Sequence, residues 1–226
     1  MTTSFESNVS DGVDHRAMRH AMVASQLRTN AVSDVRIVEA MARVPREAFV
    51  PDAVQAMAYR DTALPAGNGR AINLPIATGR LLTEAYLLAT DRVLLIGAAG
   101  GYTAAVLAEI VAHVVAVEDD ADLASIARAA LAGVGNVAFV EGPLAAGHAE
   151  GAPYDVLVID GAIEAVPPAL VGQVAPGGRI VSGIVDHGVI RLASGRKTDG
   201  GFGLAPFVDS DCVVLPGFAT PQGFRF

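Results

Sequence analysis

The sequence predicts an α/β domain: a doubly wound, mostly parallel seven-stranded sheet with N-terminal helices and an antiparallel C-terminal hairpin. Three observations carry this expectation. Between residues 92 and 185 short apolar runs alternate with segments of helical periodicity, the pattern of a parallel sheet covered on both faces. A glycine-bearing turn, GAAGG at 97–101, directly follows the first of those runs. After residue 189 the alternation stops, and two apolar runs flank Lys197-Thr198-Asp199-Gly200-Gly201, whose Asp-Gly pair suits a hairpin.

The elements follow in order. Residues 1–14 are polar and aperiodic and are expected to be a disordered leader outside a single domain of residues 15–226. From Arg16 to Leu27, the positions Ala17, Met18, Ala21, Met22 and Ala24 recur at helical spacing. Ser33-Asp34 begins a second helix through Ile37, Val38 and Met41 that ends before Pro45. Residues 51–75 read as irregular, and a segment of that kind just before the glycine turn can wall a site. Then come a helix over 78–90, strand 92–96, helix 102–110, strand 114–118, helix 121–132, strands 137–140 and 155–160, and helix 165–174. Pro176-Gly177-Gly178 reads as a stop before strand 179–185. Runs 189–195 and 202–208 form the hairpin, 211–215 is a last strand, and the tail from Gly217 is coil.

Composition narrows the function classes. At 226 residues, the chain fits one domain that buries roughly 70% of the surface its unfolded form exposes. Its apolar residues fall in short runs, without the stretch of about 18 that a membrane helix needs, so no membrane partner is expected. The net charge is −8 and the Lys and Arg residues are scattered, which argues against nucleic acid. The start MTTSFESNVSDGVDH lacks the basic and apolar regions of a secretory signal, so the expected location is cytoplasmic. Cys212, in CVVLP, reads as a small buried hydrophobe. The five histidines make no metal-ligand spacing, and no metal site is expected. Hydrolase elbow and phosphate-loop motifs are missing as well.

In a doubly wound sheet, the turn after the first strand lies at the switch point where ligands bind. Gly97 and Gly101 frame this turn, and Glu118 lies 21 residues beyond Gly97, where an acid can accept from both ribose hydroxyls. The alternative is that the glycines serve helix–strand packing and that Glu118, followed by Asp119 and Asp120, is a solvated strand end. A dinucleotide needs the G-x-G-x-x-G frame for its pyrophosphate, and the spacing here does not match it. S-adenosylmethionine, which has no phosphate, fits better.

The blocks MVASQLR, VPREAFVP, AYRDTALPAGNGRAINLP, GYTAAVLAEI, NVAFVEG, APYDVLVIDGA and APGGRIV make the chain similar to the protein-L-isoaspartate O-methyltransferases over about residues 16–185. The resemblance implies a class I methyltransferase with a Rossmann-like sheet and S-adenosylmethionine as cofactor. It also implies a protein-repair activity, with a protein or peptide substrate whose isoaspartyl carboxylate attacks the sulfonium methyl in line. Cofactor contacts are implied at Gly97, Ala98, Ala99, Gly101, Glu118, Asp119, Gly142 and Leu144. Where the family turn reads close to E-I-G-T-G-S-G-Y, Leu95 replaces an acid and Ala99 replaces the middle glycine. In AINLPIA, Asn73 replaces a hydroxyl residue near the transferring methyl and becomes the candidate for acceptor positioning, while Ile76 replaces a histidine or other larger group. Gly142-Pro143-Leu144 replaces G-D-G, leaving the Leu144 backbone for the adenine. Asp160 is a gained acid, which either binds the methionine amino group in place of the acid lost at Leu95 or caps the next helix. Three functions remain open at this level: isoaspartyl methylation, methylation of another acceptor, and a cofactor-binding or regulatory protein without turnover.

Overall fold

A computed structural model describes residues 13–219. Residues 1–12 of the expected leader, and most of the coil tail, lie outside the described residues. Asp14, assigned to that leader by sequence, is the N-cap of the first helix and accepts from the Ala17 amide at 2.9 Å.

Helix α1 (His15–Met22) passes into a π-helical turn at Val23–Leu27, so the expected continuous helix changes its winding at Val23. Helix α2 (Val35–Arg43) begins at Asp34, whose side chain accepts from the Arg36 amide. Two 3-10 turns, Arg46–Phe49 and Asp52–Met57, lead to a hairpin of β1 (Leu64–Gly67) and β2 (Arg70–Ile72). The irregular reading of 51–75 therefore missed an Asn-Gly signal. Asn68 (φ 50°) and Gly69 (φ 74°) are the two left-handed residues that such a two-residue turn requires. Helix α3 (Pro75–Glu84) starts three residues before the expected Thr78, because Pro75 is preset for the first helical position. It ends early, before Tyr86 takes φ 47°.

Strand β3 (Arg92–Ile96), α4 (Tyr102–Ala108), β4 (His113–Glu118), α5 (Ala121–Ala130), β5 (Val137–Glu141), β6 (Tyr154–Ile163), α6 (Pro168–Gln173), β7 (Val174–Asp186), β8 (Val189–Thr198) and β9 (Gly201–Asp209) complete the chain. The sheet order is β5-β4-β3-β6-β7-β8-β9, parallel from β5 through β7 and antiparallel across β7-β8-β9. This is the expected seven-stranded sheet, with three corrections to its edges. Pro176-Gly177-Gly178 is a bulge inside β7 rather than a stop, because the pairing shifts between Tyr154↔Val174 and Val156↔Arg179. Helix α6 starts only after Pro167, not at 165. The expected strand 211–215 makes a single parallel bridge, Val214 with Ala162, since the edge of β6 beside it is free for only a few residues.

Alternating side chains divide the core into two layers. Val93 and Leu95 of β3 join Val114, Ala116, Val156 and Val158 on one face, covered by apolar residues of α1 to α5. Leu94, Ile96, Val115, Val117, Leu157 and Ile159 point the other way, under Leu170, Leu215 and Phe218. Full burial of each such side chain contributes roughly 1.5–3 kcal/mol. Since β3 is central and buried on both faces, its C-terminal end is fixed, and with it the turn at 97–101.

One ion pair fastens the helical layer to the sheet. Arg179 of β7 donates to Asp91 at 2.6 Å and to the carbonyls of Ala85 and Tyr86 at the end of α3, and both charged residues are buried. Arg179→Met leaves Asp91 buried without its cation, and it is expected to lower unfolding stability by about 3 kcal/mol. A lower urea midpoint with an unchanged denaturant slope is the expected reading.

Candidate active site

The turn 97–101 is bound to the end of β4. The amides of Gly97 and Ala98 both donate to the Val117 carbonyl at 3.1 Å. Gly97 has φ +75°, and a Cβ there would lie 2.9 Å from Leu215 Cδ1. A Cβ on Gly161, at the end of β6, would lie 2.5 Å from the same side chain, so Leu215 covers the crevice between the two strand ends. At Gly100 a Cβ would come within 1.9 Å of the Phe49 carbonyl oxygen, which excludes every other residue. Packing thus accounts for part of the glycine pattern. Ala99 keeps its methyl while holding a left-handed φ of 47°.

Glu118 is the acid expected at the end of the second sheet strand, and it is fully buried rather than a solvated strand end. Its carboxylate accepts from the amides of Ala99 (2.7 Å), Asp119 (3.1 Å) and Asp120 (3.2 Å). Arg70 of β2 donates to it through Nη2 at 2.7 and 2.9 Å and through Nε at 3.3 Å. Asn68, at the hairpin tip, donates to Asp120 and Asp122. Gly142 joins the group through its amide, which donates to the Glu118 carbonyl at 2.9 Å. Burial and the neighbouring Glu118 push the Asp119 carboxyl up, against the pull of Arg70. For Asp120 burial works in the same direction, but hydrogen bonds from the Leu123 amide and Asn68 outweigh it and hold the carboxyl low.

Asp160 forms a second polar knot. It is buried and accepts from Asn73 Nδ2 (2.8 Å), Thr78 Oγ1 (2.8 Å) and Thr103 Oγ1. It lies inside β6, and the next helix is capped at Pro167, so Asp160 is not a helix cap. Asn73 is held at its other end as well, its Oδ1 accepting from the Val213 amide at 3.2 Å. Beneath it the fully buried Arg46 donates to the carbonyls of Asn73 (2.6 Å) and Ala58 (2.8 Å), with its guanidinium 4.8 Å from the centre of the Tyr102 ring. Burial lowers the Arg46 pKa and pushes the Tyr102 hydroxyl up to about 12. Cys212 is buried nearby, which pushes its thiol up to about 12 and removes thiolate reactivity.

The structure therefore brings Gly97, Ala98, Ala99, Glu118, Asp119 and Gly142 together. Asn73 and Asp160 form a separate knot, joined to the start of α4 just after the turn through Thr103. Gly101, also at a left-handed φ, starts α4 behind the turn. Leu95 and Leu144 are buried in opposite core layers. Sequence reasoning did not single out Arg70, Thr78, Thr103 or Arg46. Their signal is long-range, since Arg70 meets Glu118 across 48 positions and Thr78 meets Asp160 across 82.

Two substitutions test these assignments. Ala99→Gly relieves a left-handed alanine and is expected to raise stability by about 0.5–1 kcal/mol in chemical denaturation. Asp160→Asn turns an acceptor of three donors into a half-donor, and a loss of about 1–3 kcal/mol in the same assay is expected.

Comparison with known proteins places the chain. Residues 18–204 match the family model described as protein-L-isoaspartate(D-aspartate) O-methyltransferase. A protein-L-isoaspartate O-methyltransferase 2 of Marinobacter nauticus is 38% identical over 213 residues, covering 92% of this chain and 96% of its own. The protein-L-isoaspartate O-methyltransferase 1 of Rhodopseudomonas palustris is 39% identical over 191 residues, covering 83% of this chain and 78% of its own. A solved protein-L-isoaspartate O-methyltransferase is 25% identical, with a TM-score of 0.76 over 90% of this chain and 66% of that one. A Plasmodium falciparum structure named as a β-aspartate methyltransferase in complex with S-adenosyl-L-homocysteine has the same fold at 16% identity (TM-score 0.70, covering 89% of this chain and 97% of that one). The family match spans the turn, Glu118 and the Asp160 knot, and the chain belongs to the protein-L-isoaspartate(D-aspartate) O-methyltransferase family.

Proposed function

We propose that this chain transfers the methyl group of S-adenosylmethionine to the carboxylate of isoaspartyl residues in damaged proteins. The observation that carries this reading is Glu118, buried at the end of β4 against the 97–101 turn in a chain of this family. The polar groups have the chemistry the cofactor needs: the Glu118 carboxylate, here paired with Arg70, for the ribose hydroxyls, the carbonyls of the 97–99 turn, whose amides are bonded within the fold, for the methionine side, and Gly142 with the Leu144 backbone for the adenine side. Asp119, partly exposed beside Glu118 and Arg70, is the further cofactor contact this reading assigns.

The cofactor supplies a methyl already activated on a sulfonium, and the acceptor carboxylate is ionised at neutral pH. The chain is left to align the two and keep water out, and no general base is needed. Leu215, buried against Gly97 and Gly161, keeps water from the crevice between the two strand ends. Asn73 takes an indirect part in acceptor positioning. Its side chain ties the Val213 amide to Asp160 and so holds the 211–215 segment against β6. With Asp160 already accepting from three side chains, its part is to hold this segment. The one cysteine is free and buried, which suits a reducing compartment such as the cytoplasm. No helix among the described residues is long and apolar enough to cross a membrane.

The assay is methyl transfer from labelled S-adenosylmethionine to an isoaspartyl peptide and to its aspartyl twin. Incorporation is expected in the first only. Tight binding of the cofactor with neither peptide methylated would overturn the acceptor assignment.

A further inference from the structure

The Glu118 carboxylate has no free capacity in this structure. Two carboxylate oxygens offer about four lone-pair positions. Here they accept from three backbone amides and from two nitrogens of Arg70, both of whose close bonds through Nη2 are under 3 Å. The amides belong to the turn and to the start of α5, so they are fixed by the fold. Arg70 is the one side-chain donor and the one that can leave: it sits beside the two-residue tip of hairpin β1–β2, whose base is packed in the core through Leu64 and Ile72.

We propose that Arg70 is an internal competitor of the cofactor: its guanidinium occupies the place of the ribose hydroxyls, and it must release, with the tip of hairpin β1–β2, before the cofactor is held by Glu118. The inference rests on the methyltransferase reading above. Three observations support it. Arg70 is buried against a fully buried acid, and its Nη1 is buried without a partner, so the pair satisfies Glu118 better than it satisfies Arg70. A second acid waits outside, since Asp119 Oδ1 lies 3.6 Å from Arg70 Nε and is partly exposed, and it can keep the cation paired after withdrawal. The hairpin tip is clipped to the same end of the crevice by Asn68, which donates to Asp120 and Asp122 at 3.1 and 3.2 Å, so tip and arginine release as one unit. Arg70 is then the residue that sets cofactor affinity, because the apparent dissociation constant is the intrinsic one divided by the released fraction.

The test is calorimetric titration of S-adenosyl-L-homocysteine into the wild-type chain, Arg70→Gln and Asn68→Gly, with a thermal melt of each. Gln keeps the stem and a donor but removes the charge and the fork. Gly keeps the left-handed tip and removes only the clip, so it remains informative if Arg70→Gln folds poorly. Arg70→Gln is expected to melt lower without ligand and to bind about tenfold tighter, with Asn68→Gly shifted in the same direction by about threefold. Equal or weaker binding by both variants, with the wild type still binding, overturns the competitor role and makes the pair a support for Glu118. No binding by any of the three overturns the cofactor reading itself, and the inference with it.

Discussion

A fully buried carboxylate at the end of a parallel strand must be surrounded by donors, and the loops around Glu118 are arranged to supply them. Desolvating that charge without compensation would cost several kcal/mol. The chain meets this with the Ala99 amide from the first turn, the Asp119 and Asp120 amides from the start of α5, and Arg70 from the hairpin. Three segments distant in sequence, the hairpin, the turn and the β4–α5 junction, are thereby brought to one point. The turn takes its left-handed alanine, and the hairpin takes its position over the strand ends, in the course of satisfying this one group.

The same requirement connects stability to ligand affinity. Donors contributed by the backbone are part of the fold and cannot be exchanged. The Arg70 side chain is not fixed by the backbone in this way. Around Asp160 the balance differs, because Asn73, Thr78 and Thr103 are each anchored in the 73–78 segment or in α4. That carboxylate is locked by three side chains the fold holds in place.

Packing and ligand chemistry both act on the glycines, which is why the pattern GAAGG is ambiguous when read alone. Gly100 is required by the Phe49 carbonyl and Gly97 by Leu215 as well as by its backbone angle. A sequence shows that a side chain is missing at such positions without showing whether protein or cofactor fills the space. Leu215 is the protein's answer at Gly97, and it comes from a segment 118 positions away that the sequence presented as a strand.

The sequence by itself determined the parallel sheet, its hairpin end, the turn and Glu118, because strand burial and helix periodicity are local and repeat within a few residues. Its family blocks also carried the chemistry. The Asn-Gly hairpin at 68–69 was equally local, and was obscured by the glycines and prolines around it. Tertiary structure alone decided what the two acids do. Glu118 ends β4 and Asp160 lies within β6, and their surroundings separate only when Arg70, Asn73, Thr78 and Thr103 arrive from elsewhere in the chain. A carboxylate's function is set by which donors reach it and whether they can leave, and neither property is written in its sequence neighbours.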